Sequence, residues 1–215
     1  MLNTNSVFSK VFLWLCIGLM ITFGTGYAIQ YNEPLLNNIF SGGSYIIIWI
    51  AEIVIAIVLS IRIHKMSPTT AKVLYLLYTA LTGLTFATIF IAYNIESIII
   101  VFGITSLIML VFGILGYKTN IDLTKISTFL IIGLIGIILA SVISLFVESV
   151  ALNLGIIIVS IIIFVGYIAY DIQMIKRRAY GIQDEDSLAV YGAFQLYLDF
   201  INIFIDLLRL FGRDN

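Results

Sequence analysis

A chain of 215 residues that is 61% hydrophobic and 11% charged, with a mean hydropathy of +1.14, stands far from the roughly 25% charge of an average soluble domain. The composition excludes a water-soluble globular protein, and at a formal charge of −1 no nucleic-acid partner is expected. Cys16 is the only cysteine, so no intrachain disulfide forms and the redox compartment is unreadable.

From the N-terminus, Lys10 ahead of an apolar run resembles the start of a signal peptide, but Val11 to Ile29 is too long and lacks an A-x-A-like end. It is expected to remain as the first span. A span needs about 20 apolar residues. Seven segments qualify, approximately 8–30, 44–63, 71–93, 96–117, 126–147, 154–175 and 191–212. They leave no stretch for a soluble domain, so 1–215 reads as a single seven-transmembrane-helix domain. The breaks carry turn chemistry at Asn32-Glu33-Pro34, Ser41-Gly42-Gly43, Lys65-Met66-Ser67-Pro68, Tyr93-Asn94, Thr119-Asn120 and Asn153. The sixth connection, Lys176 to Val190, is long and charged and reads as a solvated loop.

Lys10, Arg62, Lys65, Lys72, Lys118, Lys125, Lys176, Arg177 and Arg178 fall on one side of this arrangement. The short loops of the other side hold Glu33, Glu96 and Glu148 and no basic residue. The positive-inside rule then predicts a cytoplasmic N-terminus and, with an odd number of spans, an external Asn215. Gly24, Gly26, Gly83, Gly103, Gly113, Gly133 and Gly136 lie inside spans and are expected to permit close helix contact. No extended inverted repeat is visible, which weighs against a rocking transporter.

The last span carries a polar file. Gln195, Asp199, Asn202, Asp206 and Arg209 are spaced four, three, four and three, which puts all five on one helical face. Lipid rejects such a face, so this helix is expected at the centre of the bundle. Three more charged residues fall in or near spans: Glu52, Arg62 and Asp171. Asp171 precedes Lys176 by five residues, roughly 7.5 Å of helix, and Asp199 lies roughly 10 Å in from the same side, so the two share a level. Arg62 can reach that level with its long side chain, whereas Glu52 falls near mid-membrane.

Two facing carboxyl groups in a poorly solvated site cannot both ionise cheaply and tend to share a proton, which makes a proton switch. The same pair, when ionised, offers hard oxygens that the carbonyls of Gln195 and Asn202 and water would complete for calcium, with Arg62 as a competing counter-ion. Blander roles stand beside these. Asp171 alone would snorkel to the interface, Asp206 and Arg209 would pair with each other, and Glu52 would hydrogen-bond a neighbouring helix. His64 is solitary, with no second His or Cys nearby to make a metal site.

At YIAYDIQMIKRR and LYLDFINIFIDLLRLFG the sequence resembles the transmembrane Bax inhibitor motif family of the Bax inhibitor-1 type, especially its small bacterial, YetJ-like members. The resemblance implies an all-α integral membrane protein of seven transmembrane helices, its central C-terminal helix wrapped by two three-helix sets. It further implies a pH-sensitive calcium leak channel with a di-aspartyl sensor, matched here by Asp171 and Asp199. Arg62 matches an arginine that latches the sensor, and Glu52 an acidic pore residue. Gln195, Asn202 and Asp206 then belong to the ion pathway. Calcium and protons are the expected ligands, no organic cofactor is expected, the lipid bilayer is the surrounding partner, and protein partners stay open. The cell membrane is the expected location.

A competing class is an intramembrane aspartyl protease, which also places Tyr-Asp on a sixth helix and a second aspartate on a seventh and would activate water with one ionised and one protonated carboxyl. Tyr197-Leu198-Asp199 lacks that enzyme's G-x-G-D glycines, and Pro34 and Pro68 leave no P-A-L element. The expectation is therefore of a non-enzyme. A non-conducting membrane protein acting through partners is the third reading, and it would need no polar seam.

Overall fold

A computed structural model describes residues 4–40, 43–63, 66–180 and 184–214, and these are predominantly helical. Ser41, Gly42, His64, Lys65 and Asn215, named above, lie outside the described residues. The helices are α1 (Thr4–Ile29), α2 (Glu33–Phe40), α3 (Ser44–Arg62), α4 (Pro68–Ala92), α5 (Ile95–Lys118), α6 (Ser127–Ser144, preceded by a 3-10 turn at Leu123–Ile126), α7 (Val150–Ala179) and α8 (Glu185–Phe211). All but α2 are long and apolar enough to cross a membrane. Helix is the expected solution, because hydrocarbon leaves each span to satisfy its own backbone groups. Among the described residues no strand forms, apart from an isolated bridge between Tyr93 and Asp214.

Several of the turn residues prove to be helix caps, but the break expected at Asn153 lies inside α7, which opens at Val150 behind Ser149. Asn32 Oδ1 accepts from Leu35 N at 3.1 Å and opens α2, a helix the sequence reading takes for a plain turn. Ser67 Oγ accepts from Thr70 N at 3.2 Å with Pro68 in the first helical turn, and Ser149 Oγ accepts from Leu152 N at 3.3 Å at the start of α7. Each satisfies a backbone donor that the first turn leaves unpaired. Gly43, ahead of α3, has φ +83°, a left-handed conformation that a side chain would strain.

Tertiary contacts divide the chain into two compact units. The first contains α1 to α4 and the N-terminal part of α8 through Tyr197; the second contains α5 to α7 and α8 from Leu198 onward. Each unit thus holds three spans and part of α8, matching the two three-helix sets. Of the spans, α8 has 72% of its apolar window buried, against 6% for α3 and 6% for the stretch Leu123–Ser144. That ranking is what a helix carrying polar side chains requires.

In the first unit α1 packs on α4. A Cβ at Gly18 would collide with the Tyr75 hydroxyl, and Tyr75 donates from there to the Trp14 carbonyl at 2.9 Å. Tyr75 also meets the ring of Tyr197, 6.0 Å between centroids. In the second unit a Cβ at Gly116 would collide with the Ala169 carbonyl oxygen, so α5 and α7 touch backbone to backbone. Among the glycines singled out from the sequence, Gly26, Gly83 and Gly133 lie against a neighbouring helix. Gly24, Gly103 and Gly136 have nothing within 4 Å and serve no contact inside the protein.

Most of the charged connection is helical among the described residues. α7 runs through Lys176, Arg177 and Arg178 to Ala179, and α8 begins at Glu185. Lys176 Nζ donates to the Tyr117 carbonyl at 2.7 Å and lies over the Tyr117 ring, Arg177 pairs with Asp122 at 2.7 Å, and Arg178 stacks on Tyr191. Asp184 caps α8, accepting from Asp186 N at 3.1 Å, Ser187 N at 3.2 Å and Ser187 Oγ at 2.6 Å. The local sequence reads as solvated because its charges are dense, yet helix ends spend such charges on carbonyls, rings and opposite charges.

Candidate functional site

The polar file of α8 turns inward only at its two aspartates. Asp199 and Asp206 are buried, at 4% and 7% exposure. Gln195 and Asn202 are half-buried, and Arg209, at the far end, is exposed.

Within the second unit the structure brings Asp171 of α7 and Asp199 of α8 together. Asp171 is also 4% exposed, and its carboxyl group lies within hydrogen-bonding reach of that of Asp199. Asp199 Oδ2 is buried with no hydrogen-bond partner. Tyr167, one turn before Asp171 on α7, lies close enough to feel both carboxyl groups. Asn202 gives its amide hydrogen to the Leu198 carbonyl of its own helix at 2.7 Å.

Further along the same two helices Asp206 hydrogen-bonds Ser160 of α7, itself 4% exposed, while Arg209 acts on it only electrostatically. The expected Asp206–Arg209 pair is therefore replaced by a buried contact across helices. A long side chain at a helix end gains more from solvent than from a buried acid one turn away.

Two residues beyond Asp171, buried Gln173 staples the connection that leads from α5 to the 3-10 turn. Its Nε2 donates to the Ile121 carbonyl at 2.8 Å, and its Oε1 accepts from Leu123 N at 2.9 Å. Beside it, Asp122 accepts from Thr124 Oγ1 at 2.8 Å and Thr124 N at 3.1 Å. Those hydrogen bonds, the Thr124 hydroxyl's first, and then Arg177 hold the Asp122 carboxyl below its ordinary value.

In the first unit, half-buried Glu52 meets Thr82 and Thr85 of α4, with Thr85 Oγ1 3.5 Å from its Oε1. This is the helix-to-helix hydrogen bond named as its blander role. Gln195 Oε1 is buried without a partner. Arg62 closes α3 with its side chain exposed. Lys10 of α1 pairs with Glu185 at 3.2 Å and Asp186 at 2.8 Å, and Lys72 of α4 pairs with Asp186 at 2.6 Å.

No group of three or more His, Cys, Asp or Glu side chains gathers among the described residues. A cation at the aspartate pair would therefore draw its remaining ligands from amide or backbone carbonyls and water. Sequence reasoning missed Ser160, Tyr167 and Gln173. Ser160, Tyr167 and Asp171 are spaced seven and four, a second heptad file that faces the first.

Seven apolar spans, a well-buried last helix and a buried acid pair define an all-α integral membrane protein. A family model described as Inhibitor of apoptosis-promoting Bax1 matches residues 4–215, and the chain belongs to that Bax inhibitor family. It is 40% identical over 214 residues to an uncharacterized protein of Borreliella burgdorferi, covering 97% of this chain and 92% of the relative. It is 36% identical over 211 residues to the inner membrane protein YbhL of Escherichia coli K12, covering 95% and 90%. With protein RP147 of Rickettsia prowazekii it shares 34% over 207 residues, covering 95% and 88%.

Proposed function

We propose that this protein is a pH-sensitive calcium leak channel, without catalytic activity, of the bacterial inner membrane, where its relative YbhL is named as residing. The observation that carries the reading is the buried contact between the Asp171 and Asp199 carboxyl groups. Two carboxylates offer only acceptors, so a hydrogen bond between them requires one proton. Loss of that proton leaves two like charges in a desolvated site, where they repel unless the helices separate or a cation enters.

Asp199 Oδ2, buried and without a hydrogen-bond partner, is the oxygen that such a cation would find. Asn202 and Asp206 continue the path along α8, and Glu52 and Gln195 supply oxygens in the first unit. Arg62 is assigned as the latch by the family resemblance. The proposed orientation, N-terminus cytoplasmic and C-terminus external, follows from the distribution of lysine and arginine.

The experiment is calcium entry into dye-loaded liposomes containing the purified protein, measured against pH with a peptide-cleavage assay alongside. Flux above that of protein-free liposomes and dependent on pH is expected, with no cleavage. Equal flux in empty liposomes overturns the channel, and peptide cleavage lost in Asp171→Asn or Asp199→Asn replaces it with a protease.

A further inference from the structure

The first unit contains a buried polar chain that the aspartate pair does not use. Thr22 of α1 donates its hydroxyl proton to the Thr79 carbonyl of α4 at 2.8 Å. The same oxygen lies 2.6 Å from Tyr197 Oη of α8. A hydroxyl has one proton to give, and that of Thr22 is committed, so Tyr197 is the donor in the shorter contact. Tyr197 Oη is then left with lone pairs and no proton to offer elsewhere.

Thr82 is within hydrogen-bonding reach of Tyr197 Oη and also of the Glu52 carboxyl. In addition its Oγ1 is 3.0 Å from the Tyr78 carbonyl of its own helix. One proton on Thr82 therefore faces three acceptors. Thr22, Thr79 and Tyr197 have no exposed surface, and Thr82 is 6% exposed, so water does not settle the choice. The charge on Glu52 does.

We propose that Glu52 is a second proton-binding site of this protein, and that Thr82 relays its protonation state to Tyr197 on α8. With Glu52 ionised, Thr82 turns its proton to the carboxylate, because a charged acceptor makes the stronger hydrogen bond, and Tyr197 Oη loses its donor. A proton taken up at Glu52 makes that group a donor to Thr82 Oγ1. Thr82 then donates to Tyr197, Tyr197 to Thr22, and Thr22 to the Thr79 carbonyl, all in one direction. The only bond formed is the O–H of Glu52; no hydroxyl ionises.

Thr85 follows the same logic, since its hydroxyl reaches either Glu52 at 3.5 Å or the Thr82 carbonyl at 2.8 Å. The titratable groups that face Glu52 are Tyr78 of α4 and Tyr197 of α8. Among the described residues no charged side chain acts on its carboxyl. The relay does not depend on calcium conduction and is tested without it.

The test is infrared difference spectroscopy of the reconstituted protein as pH is stepped. A protonated-carboxyl band lost in Glu52→Gln is expected to appear together with a change in a tyrosine C–O band that is lost in Tyr197→Phe. In Thr82→Val the carboxyl band should persist while the tyrosine change disappears, and Thr82→Ser should restore it. A wild-type protein whose Tyr197 band ignores the Glu52 titration overturns the relay, and so does a pH-dependent Tyr197 band that survives in Thr82→Val. The first of these is read in the wild-type protein, with Glu52→Gln and Tyr197→Phe serving only to assign the bands, and it does not require Thr82→Val to fold.

Discussion

Replacing Asp171 or Asp199 with Asn removes one carboxyl from a pair proposed to share a proton, so the remaining acid no longer has a like charge to avoid. Calcium flux in either variant should lose the wild-type pH midpoint, and a midpoint preserved in both would falsify the aspartate switch. Asp171→Asn and Arg62→Ala should also leak more than wild type if, as proposed, the pair latched by Arg62 closes the path. Asp206→Asn should leave the midpoint nearly unmoved, since Asp206 is bonded to Ser160 and stands roughly 10 Å along the helix from Asp199.

Two glycines make a contrast of a different kind. Gly116→Ala drives a methyl into the Ala169 backbone and should cost about 1–3 kcal/mol. Gly136→Ala points into open space and should change stability by less than about 1 kcal/mol in either direction. Thermal melting in detergent distinguishes them, and equal melting temperatures would contradict the close α5–α7 contact.

The N-terminus of α8 is set by its Asp184 cap and by the ion pairs to Lys10 and Lys72. Those pairs are partly exposed, so solvent screens them and each contributes little. The cap matters more. Asp184→Ala strips three hydrogen bonds from the first turn and should cost about 1 kcal/mol.

Hydrogen bonds, led by that from the Ser187 hydroxyl, hold the Asp184 carboxyl below its ordinary 3.8. A depressed folded value means that the contribution is fully present above the unfolded value and is lost as pH falls through the folded one. The melting-temperature gap between wild type and Asp184→Ala should therefore be constant above about pH 5 and narrow below about pH 4. A gap that widens on acidification would show that the carboxylate is not the stabilising form.

For the whole molecule, the distribution of Lys and Arg predicts an external C-terminus, and tag accessibility on intact cells checks it. A C-terminal tag protected from an external protease until the cells are permeabilised would reverse the orientation. A tag cleaved on intact cells agrees with the assignment, which places the α7–α8 connection, with its Asp184 cap and lysine pairs, on the cytoplasmic side.

How much of this was legible in the chain depends on what lipid demands. Spans must be long, apolar and helical, so their number, and the turn residues that close them, could be read directly. A file of amides and acids cannot face hydrocarbon, so the spacing of Asp199 and Asp206 was enough to assign both inward. The identity of their partners could not be read. Asp206 chose Ser160 over Arg209, the lysines of α1 and α4 found Glu185 and Asp186, and Thr82 came to lie between Glu52 and Tyr197. These pairings join residues far apart in sequence, and a helix presents its polar groups by face without naming the helix opposite. Nor could the buried apolar faces be told from the lipid-facing ones. Ile47 is 70% exposed and Ile168 fully buried, yet both are isoleucine. Hydrocarbon and protein interior are equally apolar, so only the packing of one helix against another decided which isoleucine meets lipid and which meets protein.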